Sequence, residues 1–410
     1  MQDSNRTEID SSGPAPGRFT LVIPTYNRPG ELHRLLSYLA CMKVACRVLV
    51  LDSSDAGTQE GNRAFATGLS LGIDFRCFDP QLPPWEKFRQ GSDLVDTEYC
   101  AFCADDDLII PGAITRLTDY LEAHPDHVLA HGWYFAFQLG AEMSIVKTVY
   151  RSESIDVDDP LRRLLGLFSN YEALTYGVYR TNILRGILSD VGRVESMLAK
   201  ELLGGALTVV RGKVARLPLF YSGRSFVPSH PYLHWHPLDF FASSPDKLYR
   251  DYSTYRACLT NEFSSLGYRR MSVDELTKAI DIVHFRYLAD YVKPHVMEYM
   301  AEQLIRGAPK DEIMRGIWAR LASEGERPLV ARLAGNRQLR WIRDRYFPRF
   351  RLHHIKWYAD RAGHKILLST TAGGHTREYI FYKEFLDSLV GSPISEKEIG
   401  AMISALDCYE

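Results

Sequence analysis

FTLVIPT at residues 19–25 passes without a break into Tyr26-Asn27-Arg28-Pro29-Gly30 and then into leucines 32, 35, 36 and 39 along one helical face. A continuous apolar run, polar punctuation and a 3.6-residue periodicity read as strand, loop and helix. The unit recurs. RVLVL at 47–51 breaks at Asp52-Ser53-Ser54-Asp55 before a helical segment through Phe65 and Leu69. A third short strand covers Ile73 to Phe78, a helix starts near Pro83-Pro84-Trp85, and a fourth strand runs from Tyr99 to Cys103. Uninterrupted apolar strands alternating with helices predict a parallel sheet covered on both faces, with ligands bound at the carboxyl ends of its strands. Tyr26-Asn27-Arg28, Asp52–Asp55 and Asp105-Asp106-Asp107 each follow a strand, so all three polar clusters are expected along one edge of that sheet.

The third cluster is the most charged. In Tyr99-Cys-Ala-Phe-Cys-Ala-Asp-Asp-Asp-Leu-Ile-Ile-Pro111 an apolar strand ends in three adjacent carboxylates. Like charges at one strand end raise one another's pKa, an arrangement relieved by a divalent ion or by several donors. Taken alone, Asp107 could equally cap a helix starting near Pro111. Cys100 and Cys103 have metal-motif spacing, but residues three apart in a strand point to opposite faces, so buried strand cysteines are expected.

The chain has 410 residues, 46% of them hydrophobic and 24% charged, with a net charge of -2. That describes an ordinary globular protein with room for two domains, or for one domain and a large appendage. Such a balance provides no bulk attraction to nucleic acid. Residues 1–17 are polar and rich in Ser, Gly and Pro, and read as a disordered tail and not as a signal peptide. No apolar run reaches the roughly 20 residues of a membrane span, and seven cysteines scattered without a secretion signal read as reduced thiols, so the expected location is cytoplasmic.

Beyond the fourth strand the alternation loosens. A helix is expected from Pro111 to about His124, strands at Val128 to Phe137 and Ser144 to Tyr150, helices at Leu161 to Phe168 and Glu195 to Arg211, and a strand at Val214 to Ser222. From Pro237 the pattern turns helical, with a long amphipathic run from Val273 to Arg306 interrupted by Pro294, and further helices through Ile317 and Trp341. Residues 337–365 hold nine Arg or Lys against two Asp, interleaved with Trp341, Tyr346, Phe347, Phe350, Trp357 and Tyr358. This mixture suits peripheral contact with an anionic membrane face, and equally a solvated helical face or a homo-oligomer contact. Gly373-Gly374-His375 lacks the context of a phosphate loop and reads as a turn.

The order Val22-Ile-Pro-Thr-Tyr-Asn-Arg-Pro29, Val48-Leu-Val-Leu-Asp52-Ser-Ser54 and Ala101-Phe-Cys-Ala-Asp-Asp-Asp107 resembles family-2 glycosyltransferases with the GT-A fold, in a bacterial branch with an Ala-Asp-Asp-Asp signature. The resemblance covers about residues 18 to 225. It implies an α/β fold, a Rossmann-like, mostly parallel sheet flanked by helices, with an all-helical C-terminal region. The domains implied are a tail (1–17), a GT-A nucleotide-sugar-binding catalytic domain (18–236), a helical region (237–345) and a basic, aromatic extension (346–410). The implied activity is metal-dependent, inverting transfer of a sugar from a nucleoside-diphosphate donor, UDP-sugar favoured, to a hydroxyl of a glycan, lipid-linked or protein acceptor.

By the same resemblance, Pro24, Thr25, Tyr26 and Arg28 contact the nucleotide, with Tyr26 stacking on the base and Arg28 pairing with phosphate oxygens. Asp52 accepts from the base ring N–H, although Ser53 stands where a second Asp is usual. Lys87, in a Trp-Glu-Lys segment, faces the diphosphate or is an exposed helical lysine. Asp107 is the first metal ligand, for Mn2+ or Mg2+, and Asp105 holds the ribose or a metal-bound water. Ala104 stands opposite a usual Asp, which leaves Asp106 open as the ligand. Glu201 is the general base that deprotonates the acceptor, with Glu195 and Asp190 in reserve and a helix-surface glutamate as the plain alternative. Arg224 and the histidines 230, 234 and 236 follow the last strand, and His234 is the candidate third metal ligand. Two competing classes stand beside this reading. One is a non-enzymatic nucleotide-sugar-binding module; the other is a sugar nucleotidyltransferase, which would open with a Gly-rich loop that Pro24–Pro29 does not contain.

Overall fold

The computed structural model describes residues 17–139, 143–226, 245–289, 293–325, 356–359, 365–372 and 375–409. The first half alternates as expected: β1 (Phe19–Thr25), α1 (Pro29–Cys41), β2 (Arg47–Asp52), α2 (Ala56–Thr67), β3 (Ile73–Cys77), α3 (Pro84–Asp93) and β4 (Tyr99–Phe102). β3, β2, β1 and β4 lie side by side in that order, all parallel. Thr25 pairs with Asp52 and Asp52 with Cys77, so the loops after β1, β2 and β3 leave the sheet at one level.

Alternation along these strands feeds two cores. Phe19, Leu21, Ile23, Val48, Val50, Tyr99, Ala101 and Cys103 face one side, where Leu32, Leu35, Leu36 and Leu39 of α1 cover them. Val22, Leu49, Leu51, Cys100 and Phe102 face the other. Cys100 and Cys103 are both buried, on opposite faces. Each fully buried large aliphatic side chain contributes about 1.5–3 kcal/mol, so both faces of this sheet are committed to the core and only the strand ends are left for polar work.

After β4 come β5 (Leu108–Ile109), α4 (Pro111–Ala123), β6 (His127–Gln138), β7 (Met143–Val149), α5 (Pro160–Ser169), β8 (Val178–Arg180), α6 (Thr181–Val191), α7 (Met197–Arg211) and β9 (Lys213–Ser225). Here the sheet departs from the mostly parallel expectation. β8 runs antiparallel to both β4 and β6, and β6 pairs antiparallel with β7 but parallel with β9. β8 and α6 escape a sequence reading because a three-residue strand is too short to show a period. α4 has Pro111 in its first turn and no side-chain cap, so Asp107 does not cap it.

The helical region spans α8 (Pro245–Ser265), α9 (Val273–Ala289), α10 (Pro294–Ile305) and α11 (Lys310–Gly325). The expected break falls at Pro294, which starts α10. The chain then returns to the sheet. β10 (Lys356–Ala359), β11 (Lys365–Ala372) and β12 (His375–Tyr382) form an antiparallel ladder whose last strand pairs with β7, followed by α12 (Lys383–Leu389) and α13 (Glu396–Tyr409). The sequence reading did not place strands here, because the basic and aromatic composition hid their alternation. Gly373 and Gly374, expected from the sequence to form a turn, lie outside the described residues, like residues 1–16 of the expected tail and most of the basic stretch 337–365. Among the described residues no helix is long and apolar enough to cross a membrane.

His131 on β6 and His284 on α9 are both buried, and desolvation holds each imidazole below its ordinary value, His284 down to about 4. The unfolded chain takes up these protons near pH 6.5 while the folded chain resists. Their contribution to stability is therefore full above about pH 6.5 and lost as pH falls toward 4, for His284 by up to about 3 kcal/mol. The His284 share is read as a difference: the denaturant midpoint of wild type relative to His284→Phe is expected to fall as pH is lowered through this range, while the raised carboxyls of Asp105 and Asp107 act in the opposite sense in both proteins. The ring of the His284→Phe variant fits among Tyr252, Tyr255 and Tyr287 without a proton to bind.

Candidate active site

The loop after β1 is set by the backbone. Asn27 adopts a left-handed conformation (φ 51°), which Asn tolerates better than most residues. Its amide donates to Ser54 Oγ at 2.7 Å, and its side chain exchanges bonds with Asp55, donating at 3.1 Å and accepting from the Asp55 amide at 2.9 Å. The loops after β1 and β2 are thereby one unit. Tyr26 projects from it, 49% exposed, as an aromatic face at the mouth of the strand-end groove.

Asp52 lies beneath that unit with 0% exposure. Oδ1 accepts from the Ser54 amide at 2.7 Å and Oδ2 from the Asn62 side chain at 2.9 Å. Lys87 is also buried, which removes the reading of an exposed helical lysine. Its Nζ donates to the Thr25 carbonyl and to Ser53 Oγ, both at 2.8 Å, and so ties the ends of β1 and β2 together from α3. Burial lowers its ammonium to about 8, opposed by the charges of Asp52 and Asp105.

The three aspartates converge on this floor. Asp105 is buried, accepts from the Thr25 hydroxyl at 2.7 Å and pairs with Arg28 at 2.9 Å. Arg28 also reaches Asp106 at 2.6 Å, with its own side chain 42% exposed. Asp107 is buried as well, with Oδ1 accepting from the Ser225 amide at 2.9 Å. Burial pushes the Asp105 carboxyl up to about 6 against the pull of Arg28 and Thr25, and the Asp107 carboxyl up to about 7 against Arg224. Both carboxylates are thus short of compensating positive charge. Among the described residues no three ligating side chains gather into a ready-made metal cage.

A cluster of Arg224, Tyr150 and Tyr176 lies beside Asp107. Arg224 lies over the rings of Tyr150 (5.5 Å) and Tyr176 (5.9 Å) and donates to the Tyr150 hydroxyl. Tyr150 and Tyr176 each lie within electrostatic reach of both Asp107 and Glu201. Glu201, on α7, is largely buried and accepts from the Tyr171 hydroxyl at 3.0 Å, so it is not the helix-surface glutamate of the plain alternative. Burial raises its carboxyl above the ordinary value, while Tyr171 and Arg224 oppose that shift.

The structure therefore brings Pro24, Thr25, Tyr26, Arg28, Asp52, Lys87, Asp105, Asp106 and Asp107 to one strand edge, with Glu201 within electrostatic reach of Arg224. Glu195 and Asp190 lie elsewhere: the Glu195 amide is bound by Asp251 on α8, and Asp190 pairs with Arg211 and Arg193. His230, His234 and His236 lie outside the described residues. Sequence reasoning missed Asn62, Tyr150 and Tyr176. Asn62 carried a signal, a polar residue on the inward face of α2. The tyrosines carried none, since nothing local distinguishes a site tyrosine from a core one.

Residues 20–188 match the family described as Glycosyl transferase family 2. The matched segment holds the strand-end residues from Pro24 to Asp107, while Glu201, Arg224 and Ser225 lie beyond it. No curated protein matches the chain. Among solved structures, residues 1–349 of S. aureus TarS in complex with UDP-GlcNAc are 13% identical, with 88% of this chain and 99% of that chain covered and a TM-score of 0.43. For S. aureus TarS the identity is 13%, the TM-score 0.43 and the coverage 88% of this chain, which spans 60% of the length of that one. The mannosyltransferase PcManGT of Pyrobaculum calidifontis, in complex with GDP-Man and Mn2+, is 14% identical over 76% of this chain and 80% of that one, with a TM-score of 0.40.

Lys87→Met is expected to keep the fold and to lower the unfolding free energy by about 1–3 kcal/mol, because the Ser53 hydroxyl loses its lysine donor and the Thr25 carbonyl is left with only the Ser53 amide. Urea titration of wild type and variant checks this.

Proposed function

We propose that this chain transfers a sugar from a nucleoside-diphosphate donor, a UDP-sugar first, to an acceptor hydroxyl with inversion at the anomeric carbon. The observation that carries the reading is the gathering of Asp105 and Asp106 on Arg28 just past the parallel strands, with Arg224 within electrostatic reach of both Asp107 and Glu201. Tyr26 stacks on the base. Pro24 and Thr25 line the nucleotide. Asp52 accepts from the base ring N–H under a constraint: each of its oxygens already accepts one bond, so only second lone pairs remain for the base.

The donor set suits a hard divalent cation, Mn2+ or Mg2+, held by Asp107 with Asp105 or Asp106 beside it. Among the described residues no three-ligand cage gathers, so such an ion would share its coordination with the donor's phosphates, as such cations commonly do, or with His234, which lies outside the described residues. When bound it supplies Lewis-acid neutralisation of the departing diphosphate. Arg28 neutralises Asp105 and Asp106 in the donor-free chain, and its exposed guanidinium turns to phosphate oxygens when the donor enters. Lys87 adds fixed positive potential under the site.

On the acceptor side, Glu201 accepts the hydroxyl proton as the acceptor oxygen bonds to the anomeric carbon. The bond from that carbon to the diphosphate oxygen breaks, and its electron pair leaves with the nucleotide. A carboxylate whose pKa is raised by burial is a stronger base than an exposed one, and Tyr171 holds it in orientation.

Two measurements test this. Calorimetric titration with UDP, GDP, dTDP and CDP, with and without Mn2+, is expected to show metal-dependent binding of UDP that is lost in Asp107→Ala. Binding of no diphosphate would favour a non-enzymatic module, and preference for a triphosphate a nucleotidyltransferase. Glu201→Gln is expected to lower kcat by about 10²–10⁴-fold while nucleotide affinity stays unchanged. An undiminished rate removes Glu201 from the base role.

A further inference from the structure

The turn that carries the aspartates is gripped by a residue near the far end of the chain. The Tyr409 hydroxyl, on the last turn of α13, donates to the Asp106 carbonyl at 3.0 Å and the Asp107 carbonyl at 3.2 Å. The ring is buried, set edge-on against Tyr38 and Phe137 at 5.4 Å each, with the Arg34 guanidinium 5.6 Å over its face. Tyr38 in turn donates to the Ile109 carbonyl at 2.7 Å, just beyond the turn.

α13 is itself anchored beside the same elements. Glu398 is buried and takes both terminal nitrogens of Arg116 on α4, at 2.5 and 2.9 Å. Cys408 Sγ lies 2.7 Å from Cys41 Sγ at the end of α1. Met402, Ile403, Ala405 and Leu406 fill the core shared by α1, β1 and β6. α1 and α4, the latter directly after the turn, are therefore both held by α13.

We propose that Tyr409 is a positioning residue for the carboxylates: it fixes the peptide planes of Asp106 and Asp107, so that the orientation of their side chains depends on α13 being docked. The inference rests on the donor-site reading above for its consequence, but not for its geometry. Arg28, Thr25 and the Ser225 amide hold the carboxylate groups, whereas Tyr409 holds the backbone they hang from. Because two carbonyls share one hydroxyl, losing it loosens two consecutive peptide planes, the first of which keeps the hydrogen bond from the Asp107 amide to the Ala104 carbonyl at 3.1 Å. Those are the planes on either side of the Asp107 Cα, which sets where the principal candidate ligand points.

The test compares wild type, Tyr409→Phe and Tyr252→Phe. Tyr252 is a control for loss of a tyrosine hydroxyl away from α13, since it donates to Asp281 on α9. Hydrogen exchange over residues 104–110 is expected to be about five- to tenfold faster in Tyr409→Phe, the size of one lost hydrogen bond, and unchanged in Tyr252→Phe. Mn2+-dependent UDP affinity should weaken by a similar factor in Tyr409→Phe, as a rise in KM for the donor. Glu398→Gln, which weakens the second anchor without touching the turn, should speed the same exchange. Unchanged exchange over 104–110 in a folded Tyr409→Phe protein overturns the inference whatever the wild type binds. Faster exchange with undiminished Mn2+–UDP affinity overturns its link to the carboxylates. If wild type binds no nucleotide, the donor-site reading fails, and the exchange result alone decides whether Tyr409 positions the turn.

Discussion

Burying adjacent carboxylates is the constraint on which the rest of this site depends. A charge removed from water must be compensated or be pushed toward its neutral form. Asp105 and Asp107 are buried at the end of β4, and the chain compensates them incompletely, with one arginine shared between two of the three aspartates, one threonine hydroxyl and one backbone amide. Fully paired carboxylates would have no capacity left for a ligand. Partial pairing leaves a site with an affinity for positive charge, and the half-exposed Arg28 is the piece that can be exchanged.

The surrounding fold distributes that charge between two sides. Lys87 and Asp52 stabilise the floor beneath Tyr26 by hydrogen bonds inside the protein, so the loops after β1 and β2 move as one body. On the other side, Arg224 stands near both Asp107 and Glu201, packed on Tyr150 and Tyr176. Its charge opposes the burial-driven rise of both the Asp107 and the Glu201 carboxyl. Separate carboxylates thus stand within reach of one cation.

The return of the chain to the sheet gives the site a third support. β12 joins β7, and α13 then closes the face formed by α1 and α4, with Tyr409 reaching the aspartate turn. The contact spans more than 300 residues of sequence separation, and its loop-closure cost grows only logarithmically with that length.

What the sequence determined by itself is local and periodic. Apolar runs of strand length, helical leucine spacing and the polar clusters after β1, β2 and β4 were enough to place Thr25, Tyr26, Arg28, Asp52 and the three aspartates along one edge, because side-chain alternation and the parallel βαβ unit leave few alternatives. Burial was legible too for Cys100 and Cys103, from the same alternation. Tertiary structure alone decided whether Lys87 faced solvent or the floor of the site, whether Glu201 was exposed or buried, and whether Asp107 capped α4 or received the Ser225 amide. It alone decided that the sheet becomes mixed after β4 and that Tyr409 touches the carboxylate turn. Each of these depends on partners far along the chain, and a residue's own neighbours in sequence carry no record of which distant group will neutralise it.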